Sequence, residues 1–554
     1  MSIQTSNRWV TIRTLFSADN FFDIPDYQRP YSWGEDEAGD LVDDLIMASQ
    51  EKEKDYFIGT IVLHASGDRY SIVDGQQRIT ALTLLFAYIR DRIGEKSAAE
   101  IQELLVQPEK AMLGIPERQR LEVRSPSEYA KIVGTMGGAR VVRRPPHPAK
   151  NVAERYRLTL ATYDAALKDF SESELQELCK FVISHVVVIQ LVAVDFREAF
   201  QLFTVVNDRG KQLRRVDVLK AQNLSPEAID DANVRTEYSR KWEAIEVSLG
   251  EAEFERLFNV LRLLYVKGKP QGDLLHEFSV RVYGKRGMPR RGRNFVDELG
   301  AYAELYQALF VDQDFLEGEV DQNIQFASLM PLMVDRLPFG EWKSCILLYG
   351  KKFRCERILD FLYHVERVSV DLWVRGVRKD ERYGVYTDLL GLLGESKTVD
   401  DFHSLLNEVD LSEIREACRS ERFYNMKYAG YLLARAELCA AELSEPRVIR
   451  PKSIEHVLPQ APADDSEWVK LFTDEERRGL VHCSGNLVLL SRQKNSRAQN
   501  REFAAKKEVY LAPRVSDYPR SIEVLSYDRW TPDIVRKRRD DFVCSVMSPL
   551  RSDG

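Results

Sequence analysis

Two short stretches in the last quarter of the chain hold the residues best suited to chemistry. The first, Ser453-Ile454-Glu455-His456-Val457-Leu458-Pro459-Gln460, sets a carboxylate beside an imidazole in an apolar run. The second is Gly485-Asn486-Leu487-Val488-Leu489-Leu490, followed by Gln493-Lys494-Asn495-Ser496-Arg497, with two asparagines around an almost wholly apolar segment. A histidine near its ordinary pKa can take a proton from water. A carboxylate and an amide oxygen are hard ligands suited to Mg²⁺ or Mn²⁺. A metal beside a general base is equipment for hydrolysing a phosphodiester. The plain alternative is a strand-end Glu-His pair and two turn asparagines.

The elements that must position these groups follow from local pattern. Ile454, Val457 and Leu458 suit a short buried strand that Pro459 ends. Asn486 to Leu490 predicts a second strand, and polar residues resume at Asn495, where a helix through Phe503 to Tyr510 is expected to start. Between the motifs, Asp464 to Arg478 predicts a helix with Trp468 and Leu471 facing inward. Strand, strand and helix would gather the acid-histidine pair and both asparagines into one patch. That arrangement resembles the HNH, or His-Me finger, nucleases. The resemblance implies His456 as general base, Glu455 and Asn495 as metal ligands, and Asn486 orienting the imidazole. Many members of that family also carry paired CxxC motifs for zinc. Cys483 is the only cysteine between Cys439 and Cys544, so no such site is expected.

A second set of chemical residues lies near the start. Tyr56 to Leu63 and Tyr70 to Val73 read as strands, Asp74-Gly75 as a turn, and Gln76 to Arg92 as a helix with Ile79, Leu82, Leu85, Phe86 and Ile89 at helical spacing. The stretch Asp74-Gly75-Gln76-Gln77-Arg78 therefore opens a helix, where free N–H groups and an arginine favour a phosphate. An ordinary turn with Arg78 in a surface salt bridge is the competing reading. Upstream, Tyr27-Gln28-Arg29-Pro30-Tyr31-Ser32-Trp33 follows Pro25. Downstream, Val205-Val206-Asn207-Asp208-Arg209-Gly210-Lys211-Gln212-Leu213 precedes Asp217-Val218-Leu219-Lys220. These three stretches together resemble the N-terminal ParB-like, nucleotide-hydrolysing domain of GmrSD-type, modification-dependent (type IV) restriction enzymes, which is commonly fused to a C-terminal HNH domain. The resemblance covers roughly residues 15–225 and 420–550. It implies a nucleotide site formed by Asp74, Gly75, Gln76, Gln77, Arg78, Asn207, Arg209 and Asp217, with GTP or ATP as the NTP. Tyr27, Gln28, Arg29, Tyr31 and Trp33 have three open readings: aromatic and polar groups, a surface Gln28 among them, that read a DNA modification; a wall of the nucleotide site; or plain core.

The rest of the chain frames these sites. With 554 residues, 44% hydrophobic and 10% aromatic, it has the material for three or four cored domains. No apolar run spans a membrane, no signal-peptide pattern opens the chain, and seven scattered cysteines suit free thiols in a reducing cytoplasm. A net charge of −8 excludes indiscriminate DNA coating, so any nucleic-acid contact needs local basic patches. Residues 96–183 read as helices with a cationic loop at Gly137 to Pro146, Val186 to Phe196 as a buried strand, and Arg197 to Val206 and Val216 to Leu224 as helices. Phe254, Leu257, Phe258, Leu261 and Leu264 form a helical stripe in a long helical segment, interrupted by the basic loop Lys285 to Arg293, which suits solvent or a DNA backbone equally. Phe423 to Glu442 reads as a helix. Thr531 and Pro532 cap a last helix whose Arg536-Lys537-Arg538-Arg539 run reads as a solvated face, with DNA contact as the minority reading. The expected fold is multidomain α+β, predominantly helical: a ParB-like α/β domain (1–225), a helical linker (226–418) and a ββα-metal HNH domain (419–554). The expected function is a nucleotide-regulated, metal-dependent endonuclease acting on modified phage DNA, with a homodimer allowed and no membrane partner. An NTP-dependent DNA-binding switch with a vestigial HNH domain, or an RNA-directed nuclease, remain the alternatives.

Overall fold

The computed structural model describes residues 6–17, 20–25, 28, 30–66, 68–123, 126–140, 151–194, 198, 199, 202, 214–283, 285, 287–315, 320–450, 453–511 and 518–551. The fold is predominantly helical α+β, and the chain divides into two compact units, Met1–Arg240 and Lys241–Gly554.

The first unit is built on a mixed sheet. Its strands are β1 (Ser6–Thr11), β2 (Phe22–Asp23), β3 (Tyr56–Ser66), β4 (Arg69–Asp74), β7 (Leu121–Glu122) and β8 (Val186–Ala193), in the order β1-β8-β3-β4-β2-β7. Two further strands, β5 (Val106–Gln107) and β6 (Arg118–Gln119), pair separately. The apolar run of β8 suits its place between β1 and β3, with Val186, Val188 and Ala193 fully buried. It stops at Ala193, three residues before the expected end, and the next residue, Val194, is exposed. The helix Gln76–Arg90 is buried on nearly every side, including all five apolar residues of its expected stripe. It is the centre of this unit's core, which the helices Glu35–Glu51, Val152–Leu167 and Glu172–His185 complete.

The second unit begins with helices. Phe254, Leu257, Phe258, Leu261 and Leu264 are all buried, and Trp242, Phe258, Phe278 and Phe295 pack edge and face around them. In the basic loop, Lys285, Arg290, Arg291 and Arg293 are exposed, with Arg291 lying 5.9 Å over the Tyr283 ring. The same unit holds the hairpin of β9 (Ser453–His456) and β10 (Leu487–Leu490). The helices of this unit are tied together by specific contacts. Arg435 pairs with Glu366 at 2.8 Å, both fully buried, and the Leu550 N–H donates to the Tyr363 hydroxyl at 2.9 Å.

Three expected helices are divided, each for an identifiable reason. Instead of Phe423 to Glu442, a 3₁₀ turn (Phe423–Asn425) precedes the helix Ala429–Cys439, because the Tyr424 N–H leaves the helical path to bond the His482 carbonyl at 2.9 Å. Instead of Asp464 to Arg478, there are helices Glu467–Leu471 and Asp474–Leu480; Thr473 and Glu476 form a capping box that starts the second. Trp468 is buried as expected and Leu471 packs against the same core. Instead of one helix from Asn495 to Tyr510, Ser491 caps a helix Arg492–Ala498, Gln499 breaks it at φ +39°, and Phe503–Leu511 follows. Thr531 caps the helix Pro532–Ser545 as expected. The expected helix Arg197 to Val206 lies almost wholly outside the described residues.

Candidate active site

β9 and β10 run antiparallel, with His456 opposite Leu487 and Glu455 opposite Val488. Adjacent residues on a strand point to opposite faces, so the acid and the imidazole part company. Glu455 turns into the core. Its Oε1 accepts from Lys506 Nζ at 2.7 Å and from the Tyr510 hydroxyl at 3.1 Å. Lys506 also donates to the His456 carbonyl at 2.6 Å, so one buried ammonium fixes both residues of the pair. Burial pushes the Glu455 carboxyl up and the Lys506 ammonium down, and each partly offsets this for the other.

His456 is also buried, at 6% exposure. Its Nε2 lies 3.0 Å from His482 Nδ1, and the exposed Gln460 amide lies 3.2 Å from its Nδ1. With Gln460 donating to Nδ1, the Nε2–H donates to His482. The Tyr424 ring stands edge-on to His456 at 4.4 Å and stacks on His482 at 5.5 Å. Burial, followed by the neighbouring His482 and Lys506, lowers the His456 pKa to about 3, so the ring is neutral.

The two asparagines do different work. The expected contact of Asn486 with the imidazole is replaced by contacts with the backbone. Its Oδ1 accepts from Leu458 N at 2.7 Å and from Trp530 Nε1 at 3.1 Å, while its Nδ2 donates to the carbonyls of Leu458 and Val481. Asn486 therefore clamps the chain leaving β9. Asn495 sits within the helix Arg492–Ala498, where its Nδ2 donates to Ser453 Oγ and to the Ile454 carbonyl. The expected solvated face of the last helix is broken by Arg538, which is 1% exposed. Its Nε donates to the Gly485 carbonyl at 3.1 Å and its Nη1 pairs with Glu523, so it braces the turn that carries Asn486.

Among the described residues, no group of three or more His, Cys, Asp or Glu side chains is arranged to hold a metal ion. The oxygens at this centre nevertheless fit a hard divalent cation in kind. Lys506 and Tyr510 both bond Glu455 at Oε1 and Asn495 donates through Nδ2, so Glu455 Oε2 and Asn495 Oδ1 are the oxygens suited to such an ion. Two such ligands suit Mg²⁺ or Mn²⁺, which keep waters and take phosphate oxygens for the rest of their shell.

In the first unit, Gly75 sits at the junction of β4 and the buried helix with φ +92°, and a Cβ there would lie 2.9 Å from Ile61. Only glycine meets both demands. Arg78 is not in a surface salt bridge. β3 breaks register between Phe57 and Thr60, and Arg78 Nη1 takes the carbonyls of Ile58 and Thr60 there, at 3.1 and 3.0 Å. Asp74 supplies the nearby opposite charge. Gln77 accepts from Ser32 N at 2.8 Å, and Gln28 donates to the Val73 carbonyl at 2.8 Å. Gln28 is thus no surface residue: it is 4% exposed and ties its loop to β4. Tyr31 is buried with its hydroxyl 2.9 Å from Thr159, and Trp33 packs against the core. Gln76 is buried at the same helix start. Asp217 pairs with Arg214 at 2.8 Å and caps its own helix, Arg215–Asn223. Tyr27, Arg29, Asn207 and Arg209 lie outside the described residues.

Several residues of the C-terminal centre escaped sequence reasoning. His482 carried a signal, since only eight histidines occur in the chain and this one precedes Asn486 by four residues. Lys506 and Tyr510, also four apart, share one helix face, as their common grip on Glu455 shows. Tyr424 gave no local sign, because its role depends on a long-range backbone bond.

No curated protein matches the chain. Residues 12–224 match the family described as GmrSD restriction endonuclease, N-terminal domain, and residues 408–543 match that described as GmrSD restriction endonucleases, C-terminal domain. The chain therefore carries both halves of a GmrSD restriction endonuclease in order, and belongs to that family.

Proposed function

We propose that this chain is a metal-dependent DNA endonuclease with an HNH-type centre, held in check by a nucleotide-binding N-terminal domain. The observation that carries the reading is the buried His456, hydrogen-bonded to His482 and adjacent in sequence to a carboxylate that Lys506 fixes. The exposed Gln460 amide marks where an attacking water would meet His456 Nδ1. That nitrogen takes the water's proton, and the imidazolium so formed keeps its Nε2–H on His482, whose neutral ring spreads the charge. Glu455 and Asn495 would hold the divalent ion, which when bound offsets charge on the scissile phosphate. Asn486, Trp530 and Arg538 keep the hairpin end fixed. His482 is a positioning residue, acting through His456.

In the N-terminal unit, the Gly75-Gln76-Gln77-Arg78 helix start supports a phosphate site, with Asp74 at its edge. The bonds from Gln28 to Val73 and from Ser32 to Gln77 favour reading these loop residues as a supporting wall of that site over a reader of DNA marks. Modified phage DNA as substrate, and GTP or ATP as regulator, belong to this proposal through the family resemblance.

The test is cleavage of plasmid and phage DNA with Mg²⁺ or Mn²⁺, with and without NTP. His456→Ala is expected to lower cleavage about 10²–10⁴-fold with unchanged folding and DNA affinity. His482→Ala should lower kcat with little change in KM, and His482→Asn, whose amide oxygen can still accept the Nε2–H, should recover part of it. Wild-type cleavage by His456→Ala sinks the assignment. Recovery absent in His482→Asn removes the positioning role.

A further inference from the structure

A cleft of about 730 Å³ opens in the helical part of the second unit, away from the hairpin. It lies between the helices Glu251–Val266 and Lys379–Glu395 and the turn leading into the helix Trp342–Phe353. Arg256, Arg262, Lys343, Lys379 and Arg382 line it, against Glu341 as its lining acid among the described residues. That balance is unlike the chain as a whole, whose net charge is −8.

The cations divide into two kinds. Each arginine has a carboxylate: Arg256 pairs with Glu253, Arg262 lies 3.7 Å from Glu277, and Arg382 lies 2.7 Å from Glu341. Among the described residues neither lysine has a carboxylate at salt-bridge distance, and Glu253 and Asp335 act on Lys343 only from further off. Lys343 is 9% exposed, and its ammonium lies over the rings of Phe310, Tyr306 and Trp342 at 5.3, 5.7 and 5.9 Å. Lys379 lies 5.8 Å over Tyr383. Ring faces attract a cation but do not replace the hydrogen-bond acceptors an ammonium loses on burial. Arg382 adds a second deficit, since its buried Nε has no hydrogen-bond partner. A largely buried lysine with no paired carboxylate and a buried guanidinium N–H with no acceptor, at the wall of one cleft, favour an anion with several oxygens.

Size and shape narrow its class. The cleft falls within the usual range for small-molecule sites, roughly 300–1,000 Å³, and exceeds the needs of a single phosphate. Guanidinium groups favour planar, two-point contact with phosphate oxygens, and lysines favour point contact. The Arg382 guanidinium carbon lies over the half-buried Phe339 ring at 4.3 Å, placing an aromatic face beside the cations. We infer that this cleft binds a nucleoside polyphosphate, with its phosphates on Lys343, Lys379 and Arg382 and its base against the Phe339–Arg382 pair. The inference does not rest on the nucleotide site proposed around Arg78, and gives the helical segment a sensing role.

The test is isothermal titration of the full chain with GTP, with ATP and with inorganic tripolyphosphate, in wild type and in Arg78→Ala. The Arg78→Ala chain is expected still to bind a nucleotide. Adding Lys343→Met or Lys379→Glu should each weaken that binding about ten- to a hundredfold, the range expected for losing one charge-assisted contact, and the pair together by more. Lys379→Glu alone, at an exposed position, should weaken it in a chain whose thermal midpoint is unchanged, which guards against misfolding of the pair. Tripolyphosphate should bind more weakly than either nucleotide if the aromatic face contributes. If nucleotide binding in Arg78→Ala is absent, or is unmoved by the lysine substitutions, the inference is overturned. It is equally overturned if those substitutions weaken only the binding of a DNA duplex, which would make the cleft a backbone track. Failure of Arg78→Ala to remove any site would count against the N-terminal reading alone.

Discussion

Lys506 holds Glu455 at 2.7 Å with no exposure of its own side chain, so the candidate centre contains an internal cation. Removing one partner of a buried ion pair leaves the other charge desolvated and unmatched, which costs about 3–5 kcal/mol. Lys506→Met is expected to lower unfolding stability by that order, and Glu455→Gln in the same chain to recover most of it, measured by urea unfolding. The metal reading makes a sharper demand. If Glu455 is a ligand, Mg²⁺ or Mn²⁺ should raise the thermal midpoint of Lys506→Met more than that of the wild type, because the ion takes over the missing compensation. An equal response in both chains would remove Glu455 from the metal site. The sequence showed Glu455 and His456 as a pair, because adjacency and residue type are local. That they face opposite ways follows from the strand itself; what the sequence did not show are the partners that receive them, Lys506 and His482, which lie 51 and 26 residues away. Nor did it show the work of Asn486, whose partners, the Leu458 backbone and Trp530, lie 28 and 44 residues away.

At the scale of elements, the hairpin depends on how closely the last helix approaches it. A Cβ on Gly485 would lie 2.0 Å from the Val535 carbonyl oxygen and 2.6 Å from Arg539 N, both backbone atoms of the helix Pro532–Ser545. Gly485→Ala must therefore push that helix away and loosen Arg538 from the Gly485 carbonyl. The expected loss is about 1–3 kcal/mol, as for other overpacked sites. Cleavage should fall with it, because the same turn carries the Asn486 clamp. Unchanged stability and cleavage in Gly485→Ala would show that the helix yields freely. Element existence was largely legible in the sequence: the β4, Gly75 and buried-helix junction follows from alternation giving way to helical spacing, and Thr531 with Pro532 announced the last helix. Boundaries were not. Thr473 begins a new helix by capping it, Gln499 breaks another in the left-handed region, and Tyr424 leaves a third for the His482 carbonyl. The burial of Arg538 was hidden for a related reason. A run of four cations looks solvated until a partner such as Glu523 and a carbonyl such as that of Gly485 are brought to one of them.

For the whole molecule, histidines buried in the second unit set a pH dependence that composition alone does not reveal. His364 stacks near Phe361 at 6.4 Å, and burial, followed by Arg367 and His403, lowers its pKa from 6.5 to about 4. His456 is lowered further, to about 3. A histidine with a depressed folded pKa takes its proton first in the unfolded chain. Its stabilising effect is therefore complete above pH 6.5 and is lost as pH falls from 6.5 towards 4. Glu437 acts in the opposite sense. Burial raises its carboxyl to about 7, so acidification from 7 towards 4.5 relieves a buried charge and adds stability. The net slope is thus a contest, and a difference between variants isolates one term. His364→Phe keeps the aromatic packing and removes the titration. Between pH 6.5 and 4 the wild type should lose about 1–2 kcal/mol more than this variant, after discounting for the partial exposure of the ring. Urea unfolding of both chains across that window measures it. Parallel profiles would mean that His364 gains its proton in the folded chain as readily as in the unfolded one.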